Sequence, residues 1–390
     1  MPHENIVFAI FVIFTGAAVL ATVALYARQA LIVAYIALGV LVGPSGIELV
    51  PDTELVQQIS EIGIIFLLFM LGLDLQPQDL AHMLKKATWI TAVSSLVFSF
   101  VGFMVAYSAG FDAHEALIVG AAMMFSSTIL GLKLLPTTVL HHQHMGEVII
   151  AILLMQDLIA IAVLLLLEGY AVGGGSGLSD VVRIMAAIPA LGGAAYVFGK
   201  FVLARLFMRF DTIREYIFLV TIGWCLGMAE LAGAFGLSHE IGAFVGGVTL
   251  ASSPISQYIA ENLKPLRDFF LVIFFFSLGA SFDLEVLGDI WLSATVLAVA
   301  MLLLKPFIFR ALFIQSKERK DRSLEMGVRL GQISEFSLLV AVLAAGTEFI
   351  TERASYFIQA ATLLSFVLSS FYIVRKYPTP IATDDALRRD

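Results

Sequence analysis

Three ionisable residues lie deep inside long apolar runs. Asp157 stands in Met155-Gln156-Asp157-Leu158, Lys305 directly precedes Pro306, and Glu335 belongs to Gly331-Gln332-Ile333-Ser334-Glu335-Phe336. At the centre of a membrane helix each charge costs roughly 2.5–3.5 kcal/mol on insertion scales, so three standing alone would cost roughly 8–10 kcal/mol. Charges at such depth are paired, put to use, or both. The plain structural reading is an Asp157–Lys305 ion pair that ties two helices together. The functional reading is a site shared by a cation and a proton. A carboxylate can hold a dehydrated cation, and as an acid it can hold a proton, but not both at once. Burial and a nearby Lys305 act on such a carboxyl in opposite senses, and the balance can bring its exchange near the working pH. Gln156 adds an amide oxygen beside Asp157 in sequence, although adjacent helical residues diverge by about 100°. Glu335 is placed to balance Lys305 or the end of an interrupted helix.

Two stretches look breakable at mid-depth. One is Phe125-Ser126-Ser127-Thr128-Ile129-Leu130-Gly131, with Pro136 beyond it, and the other runs from Gly331 to Phe336. Hydroxyls, amides and glycine suit a helix that unwinds and offers backbone groups to a cation, as discontinuous helices do in many secondary transporters. Ser127 and Thr128 are the candidate ligands that join Asp157 and Gln156. Ser126 alone is most simply a small packing residue of the kind common in membrane helices.

The elements that would position these residues are membrane helices. The chain has 390 residues, of which 59% are hydrophobic and only 14% charged. Soluble domains average about 45–50% and about 25%, so this surface carries too few charges for water; the mean hydropathy is +0.94. Apolar runs lie near 6–26, 30–48, 57–75, 88–108, 114–135, 146–168, 182–207, 214–235, 239–253, 265–281, 289–314, 324–345 and 355–374. At about 20 residues per crossing this predicts an all-α membrane protein of about 13 transmembrane helices. A membrane β-barrel would instead show segments of about ten residues alternating polar and apolar. The first run follows Met1-Pro2-His3-Glu4-Asn5, which lacks a basic n-region, so it reads as a retained helix rather than a signal peptide. Gly173-Gly174-Gly175-Ser176-Gly177 reads as a flexible link.

With an odd number of crossings the loops alternate between two sides. One side collects Arg28, Lys85, Lys86, Lys133, Arg209, Arg214, Lys264, Lys317, Arg319, Lys320, Arg322, Arg375, Lys376, Arg388 and Arg389. The other holds little beyond Arg183 and Arg353 and carries Glu4, Asp52, Glu54, Asp112, Glu115, Asp180 and Glu352. The positive-inside rule makes the first side cytoplasmic, with the N-terminus out and the C-terminus in. The two breakable stretches occupy corresponding places, one beside the run with Asp157 and one beside the run with Lys305. That hints at an inverted repeat, helices one to six against eight to thirteen with the seventh as connector, each half with a broken helix.

Other residues carry weaker signals. The balance of 23 Lys+Arg against 31 Asp+Glu gives a net charge of −8 and no basic face for nucleic acid. One cysteine, Cys225, excludes an intrachain disulfide framework and a cysteine metal site. His239-Glu240 reads as an interfacial helix start with an acid near its N-terminus. His141-His142-Gln143-His144 reads as a solvated loop, although such a cluster can bind a metal or sense pH. Glu230 is expected to face protein or the interface, and Met155 and Phe274-Phe275-Phe276 to serve as packing or lipid contacts.

Motifs along nearly the whole chain resemble one family. Gly39-Val40-Leu41-Val42-Gly43-Pro44, Glu61-Ile62-Gly63, Phe69-Met70-Leu71-Gly72-Leu73-Asp74-Leu75, Phe125-Ser126-Ser127-Thr128, Gln156-Asp157, Ile241-Gly242-Ala243-Phe244, Gly247 to Ser253, Phe274-Phe275-Phe276-Ser277-Leu278-Gly279, Lys305 and Ser334-Glu335-Phe336 follow one another in order. Each is weak alone, and together they are specific. The sequence resembles the monovalent cation:proton antiporters of the second cation/proton group, and within it the glutathione-gated potassium-efflux (Kef) branch. The resemblance implies a Na+/H+ antiporter-like fold, with the two broken helices crossed, in a bacterial inner membrane. It also implies Gln156-Asp157 as the ion-binding pair, a homodimer, and a half bearing Asp157 that moves against a dimerising half. Sodium-type relatives carry Asp-Asp where this chain has Gln-Asp.

Two features depart from that branch. Its members carry a soluble nucleotide-binding domain after the membrane part, whereas this chain is expected to comprise an antiporter domain over 1–376 and a short cytoplasmic tail over 377–390. It lacks the Gly-rich strand-turn-helix fingerprint. Two readings stay open, a sequence shorter than the native chain, with its regulatory domain or subunit elsewhere, and a relative without that domain; no cofactor is expected within it. The stretch Gln257-Tyr258-Ile259-Ala260-Glu261-Asn262 also has fewer acids than the branch's gating segment.

The functional expectation is exchange of K+ for H+ by alternating access, not an enzymatic reaction. A single carboxylate with an amide has a weaker field than two carboxylates, which favours K+ over Na+, and one carboxylate suggests one proton per cation. Na+/H+ exchange is the alternative. A K+ channel would want a filter of carbonyls, an intramembrane hydrolase a second carboxylate at the same depth for which Glu335 is the candidate, and a scaffold or sensor would bind without turnover.

Overall fold

A computed structural model describes residues 6–27, 31–50, 54–74, 77–133, 144–172, 190–210, 213–235, 239–251, 255–282 and 284–379, together with Gln29, Leu237 and Ser253. Among them the architecture is helical. In order the helices are α1 (Ile6–Tyr26), α2 (Leu31–Val42), α3 (Glu54–Asp74), α4 (Pro77–Ser108), α5 (Ala113–Met123), α6 (Thr128–Lys133) and α7 (His144–Val172). Then come α8 (Ala190–Arg209), α9 (Arg214–Ala234), α10 (His239–Ala251), α11 (Ser256–Ala280) and α12 (Leu284–Gln315). The last are α13 (Lys320–Arg329), α14 (Glu335–Gly346) and α15 (Glu352–Lys376). Seven are long and apolar enough to cross a membrane, and shorter apolar helices fill out the set. Helices suit such sequence because each satisfies its own backbone polar groups without water.

With α5/α6 and α13/α14 each counted as one interrupted pass, the described helices fall one to one on the apolar runs. The interruptions lie where hydroxyls and glycine cluster, at Met124–Ser127 and at Leu330–Ser334. His141 to Gln143, Gly173 to Gly177, Pro136, Asp52, Asp180, Arg183 and residues 380–390 lie outside the described residues.

The chain divides into two compact units, each assembled from separate stretches. The first comprises Met1–Leu20, Tyr35–Leu80 and Glu168–Ser281. Within it α3 packs on α10 and α11. A Cβ on Gly72 would stand 2.4 Å from the Phe244 carbonyl oxygen, and one on Gly247 2.0 Å from that of Phe69. These glycines of the sequence motifs therefore let two backbones cross in contact; they are not ligands. The surrounding core includes Phe66, Phe69, Phe270 and Cys225, with Phe66 and Phe270 stacked at 5.2 Å. Cys225 is fully buried. Phe274, Phe275 and Phe276 are buried as packing residues. His239 begins α10 with Nε2 3.8 Å from Glu230 Oε1, in an exposed pair.

The second unit comprises Ala21–Ala34, Ala81–Leu167 and Phe282–Asp390. It contains both interrupted helices. Here α12 packs on α13 and α15, and α14 lies against α15 and α5. Phe98, Phe309 and Phe313 are fully buried between α4 and α12, with Phe98 edge-on to Phe309 at 5.2 Å. Pro306 lies inside α12, and a Cβ on Gly327 of α13 would stand 2.5 Å from its carbonyl oxygen. α13 therefore sits directly against α12, one residue beyond Lys305.

Candidate cation site

An interrupted helix exposes backbone groups that have no partner within their own segment. In the second unit these groups are satisfied by side chains and by the other interruption. Ser127 caps α6, its hydroxyl accepting from the Leu130 N–H at 3.1 Å. Ser334 caps α14 in the same way, accepting from the Phe336 N–H at 3.1 Å. The two breaks also hold each other. Ser126 Oγ donates to the Leu330 carbonyl at 2.7 Å, and Gln332 Nε2 donates to the Ser127 carbonyl at 3.3 Å. Ser337 Oγ donates to the Ala122 carbonyl. From α15, Ser365 Oγ accepts the Ile333 N–H at 3.1 Å and Ser369 Oγ donates to Gln332 Oε1 at 3.3 Å.

Lys305 is fully buried and stands at this crossing. Its ammonium donates to the Phe125 carbonyl of the first break and, at 3.3 Å, to the Gln332 carbonyl of the second. Nζ also lies 5.1 Å from the centre of the Phe98 ring, within cation–π range. Two carbonyls and an aromatic face receive the three N–H donors. Among the described residues no ion pair joins Lys305 to Asp157; in place of the plain structural reading of a direct pair, Lys305 forms a charge-assisted clasp on the backbone.

Asp157, on α7, is 1% exposed. Both of its carboxylate oxygens accept from one hydroxyl, Thr128 Oγ1, at 3.1 and 3.2 Å. Thr128 is the first residue of α6, so the carboxylate lies at the start of a half-helix. Gln156, next in sequence, is turned to the first break. Its Oε1 accepts from the Ser126 N–H at 3.0 Å and its Nε2 donates to the Met124 carbonyl at 3.2 Å. The amide is thus used as a splint across the interruption. Glu335 is the first residue of α14, directly after the Ser334 cap of the second break, and is 9% exposed.

The structure therefore brings together all six residues singled out from the sequence: Gln156, Asp157, Ser127, Thr128, Lys305 and Glu335. It adds Ser126, Gln332, Ser334, Ser337, Ser365 and Ser369. Ser126 bridges the two breaks, which a simple packing role did not anticipate. Gln332 was visible as an amide in an apolar run. The serines of α15 carried the one available signal, their four-residue spacing on one face of a buried helix. Among the described residues no group of three or more His, Cys, Asp or Glu could hold a metal ion.

Two interrupted helices crossing at mid-depth, with a buried carboxylate at one half-helix start, make the architecture of a membrane secondary transporter. The chain belongs to the sodium/hydrogen exchanger transmembrane family, whose profile matches residues 10–375. That is a family of transporters and not of enzymes.

Known relatives and a solved structure agree with this membership. The chain is 28% identical to the iron transporter MagA of Paramagnetospirillum magneticum, over 89% of this chain and 80% of that protein. It is also 28% identical to the glutathione-regulated potassium-efflux system protein KefC of Cronobacter sakazakii and of Salmonella arizonae, over 92% of this chain in each case. That alignment spans 58% of each KefC, so this chain answers to little more than half of those proteins. The solved structure of the sodium proton antiporter MjNhaP1 from Methanocaldococcus jannaschii superposes with a TM-score of 0.72 at 17% identity, over 93% of this chain and 95% of that one. The likeness establishes the antiporter fold.

Proposed function

We propose that the protein exchanges K+ for H+ across a bacterial inner membrane, with Asp157 as the group that carries one or the other. The observation that carries this reading is the setting of the Asp157 carboxyl. It is buried and accepts from a neutral hydroxyl, while the Lys305 ammonium is committed to backbone carbonyls. A buried charge is paired or neutralised. Here a proton and a cation are the two species that can neutralise it, and they compete for the same oxygens. Access to one side of the membrane at a time turns that competition into antiport. Thr128 supplies a neutral oxygen beside the carboxylate, and Ser127 holds the half-helix on which Thr128 stands.

The preference for K+ rests on the weak field of one carboxylate among neutral oxygens and is supported by the KefC relatives. Sodium is the competing ion, favoured by the likeness to a sodium proton antiporter. Iron, carried in the name of MagA, would want nitrogen, thiolate or several carboxylate ligands. We take the working form to be a homodimer in membrane lipid, acted on by a regulatory domain or subunit.

The test uses purified protein in proteoliposomes containing a pH-sensitive dye, with K+ or Na+ added against an imposed proton gradient. Proton movement driven by K+ and absent in Asp157→Asn is the expected result. Movement with Na+ alone would overturn the selectivity, and undiminished exchange in Asp157→Asn would overturn the site.

A further inference from the structure

Arg329, the last residue of α13, is 1% exposed and ends the half-helix that leads into the second break. Its guanidinium donates from Nε and Nη2 to Glu325 Oε1 at 3.0 and 2.8 Å. Nη2 also donates to the Pro378 carbonyl at 2.9 Å, and the guanidinium carbon lies 5.7 Å from the centre of the Tyr377 ring. Thr379 is fully buried. The segment that follows α15 is thus held on α13 by a buried guanidinium, through backbone, ring and carboxylate together.

The next residue in the chain is Leu330, whose carbonyl accepts from Ser126 of the first break, and two residues on Gln332 gives its carbonyl to Lys305. On its other side α13 meets the Pro306 carbonyl at Gly327. A single ten-residue helix therefore connects the Tyr377–Thr379 segment with the crossing.

We propose that Arg329 is a positioning residue for cation binding, and that the segment after α15 acts through it on the crossed breaks. An ammonium would not serve as well, because the arginine fork addresses the carboxylate and the carbonyl at once. The proposal rests on the crossed breaks being the cation site. It says how that site is set from the segment that follows α15.

The experiment measures exchange rate against K+ concentration in proteoliposomes of the full chain. The proteins are wild type, Arg329→Gln, Arg329→Lys, Tyr377→Leu, the Arg329→Gln/Tyr377→Leu double variant and Asp157→Asn. Arg329→Gln should raise the half-saturating K+ concentration about three- to tenfold, a common size for loss of coupling between connected groups, with a smaller change in maximal rate. Arg329→Lys should recover part of the shift. Tyr377→Leu should shift half-saturation in the same direction, and the double variant should be no worse than Arg329→Gln. A purely structural role would lower yield and melting temperature and leave half-saturation in place. Wild-type half-saturation in Arg329→Gln, or shifts that simply add in the double variant, would overturn the proposal. If Arg329→Gln does not purify, wild-type half-saturation in both Arg329→Lys and Tyr377→Leu would do the same. Full exchange by Asp157→Asn would instead remove the site reading, a result independent of the Arg329 curves.

Discussion

A buried lysine and a buried aspartate in one membrane protein invite the drawing of a salt bridge between them. Here the lysine holds backbone carbonyls from two interrupted helices, and the aspartate is left with a threonine hydroxyl. The distinction has a measurable consequence. Lys305→Gln should weaken the protein chiefly by leaving carbonyls short of a strong donor, at about 1–3 kcal/mol for each buried group left unsatisfied. We expect a lower melting temperature in detergent, with K+-driven proton movement reduced but still present in the folded fraction. A Lys305→Gln protein that melts as wild type and has lost all coupling would show that the ammonium acts on the ion and not on the scaffold. Sequence inspection reached the identity of these residues because charge inside an apolar run is conspicuous. It could not reach their partners, since a backbone carbonyl is present at every position and leaves no mark in the sequence.

At the level of elements, both interruptions could be located from the sequence, because hydroxyls, amides and glycine fall together in the middle of each run. The counterpart of each interruption could not. Gln156 faces Ser126 and Met124 from a different helix, and only tertiary packing decides which of two adjacent helical residues, Gln156 or Asp157, turns to the break. The splint predicts a graded pair of variants. Gln156→Glu keeps an acceptor for the Ser126 N–H but has no donor for the Met124 carbonyl, whereas Gln156→Leu loses both. Gln156→Leu should therefore lose more stability and more exchange than Gln156→Glu, as read by thermal unfolding and the dye assay. Equal losses would mean that the amide is a ligand and not a splint. The motif glycines teach a related lesson. Gly72 and Gly247 belong to the motifs that carry the family resemblance, yet their work is to let α3 and α10 touch, in a unit that does not hold the candidate site.

Over the whole molecule, both interrupted helices and the candidate carboxylate lie in one compact unit made from the middle and the end of the chain. Contiguous sequence boundaries therefore describe this protein poorly, and hydropathy runs give its helices without giving its division. The charge inventory of that unit bears on transport. If Lys305 keeps its proton on the two carbonyls throughout, a single carboxyl alternates between one K+ and one H+, and no net charge moves. Exchange rates should then be indifferent to an imposed membrane potential, set with an ionophore for an ion that is not transported. A rate that rises or falls with potential would require a second titrating group, either Lys305 giving up its proton or Glu335.

Cys225, buried in the core of the first unit, makes the natural chain all but silent toward thiol reagents. A cysteine introduced at a chosen position along either interruption reports on that position alone, without first clearing the background. Reactivity of such sites from each side of a sealed vesicle can then follow which face of the crossing is wet as K+ and pH are changed.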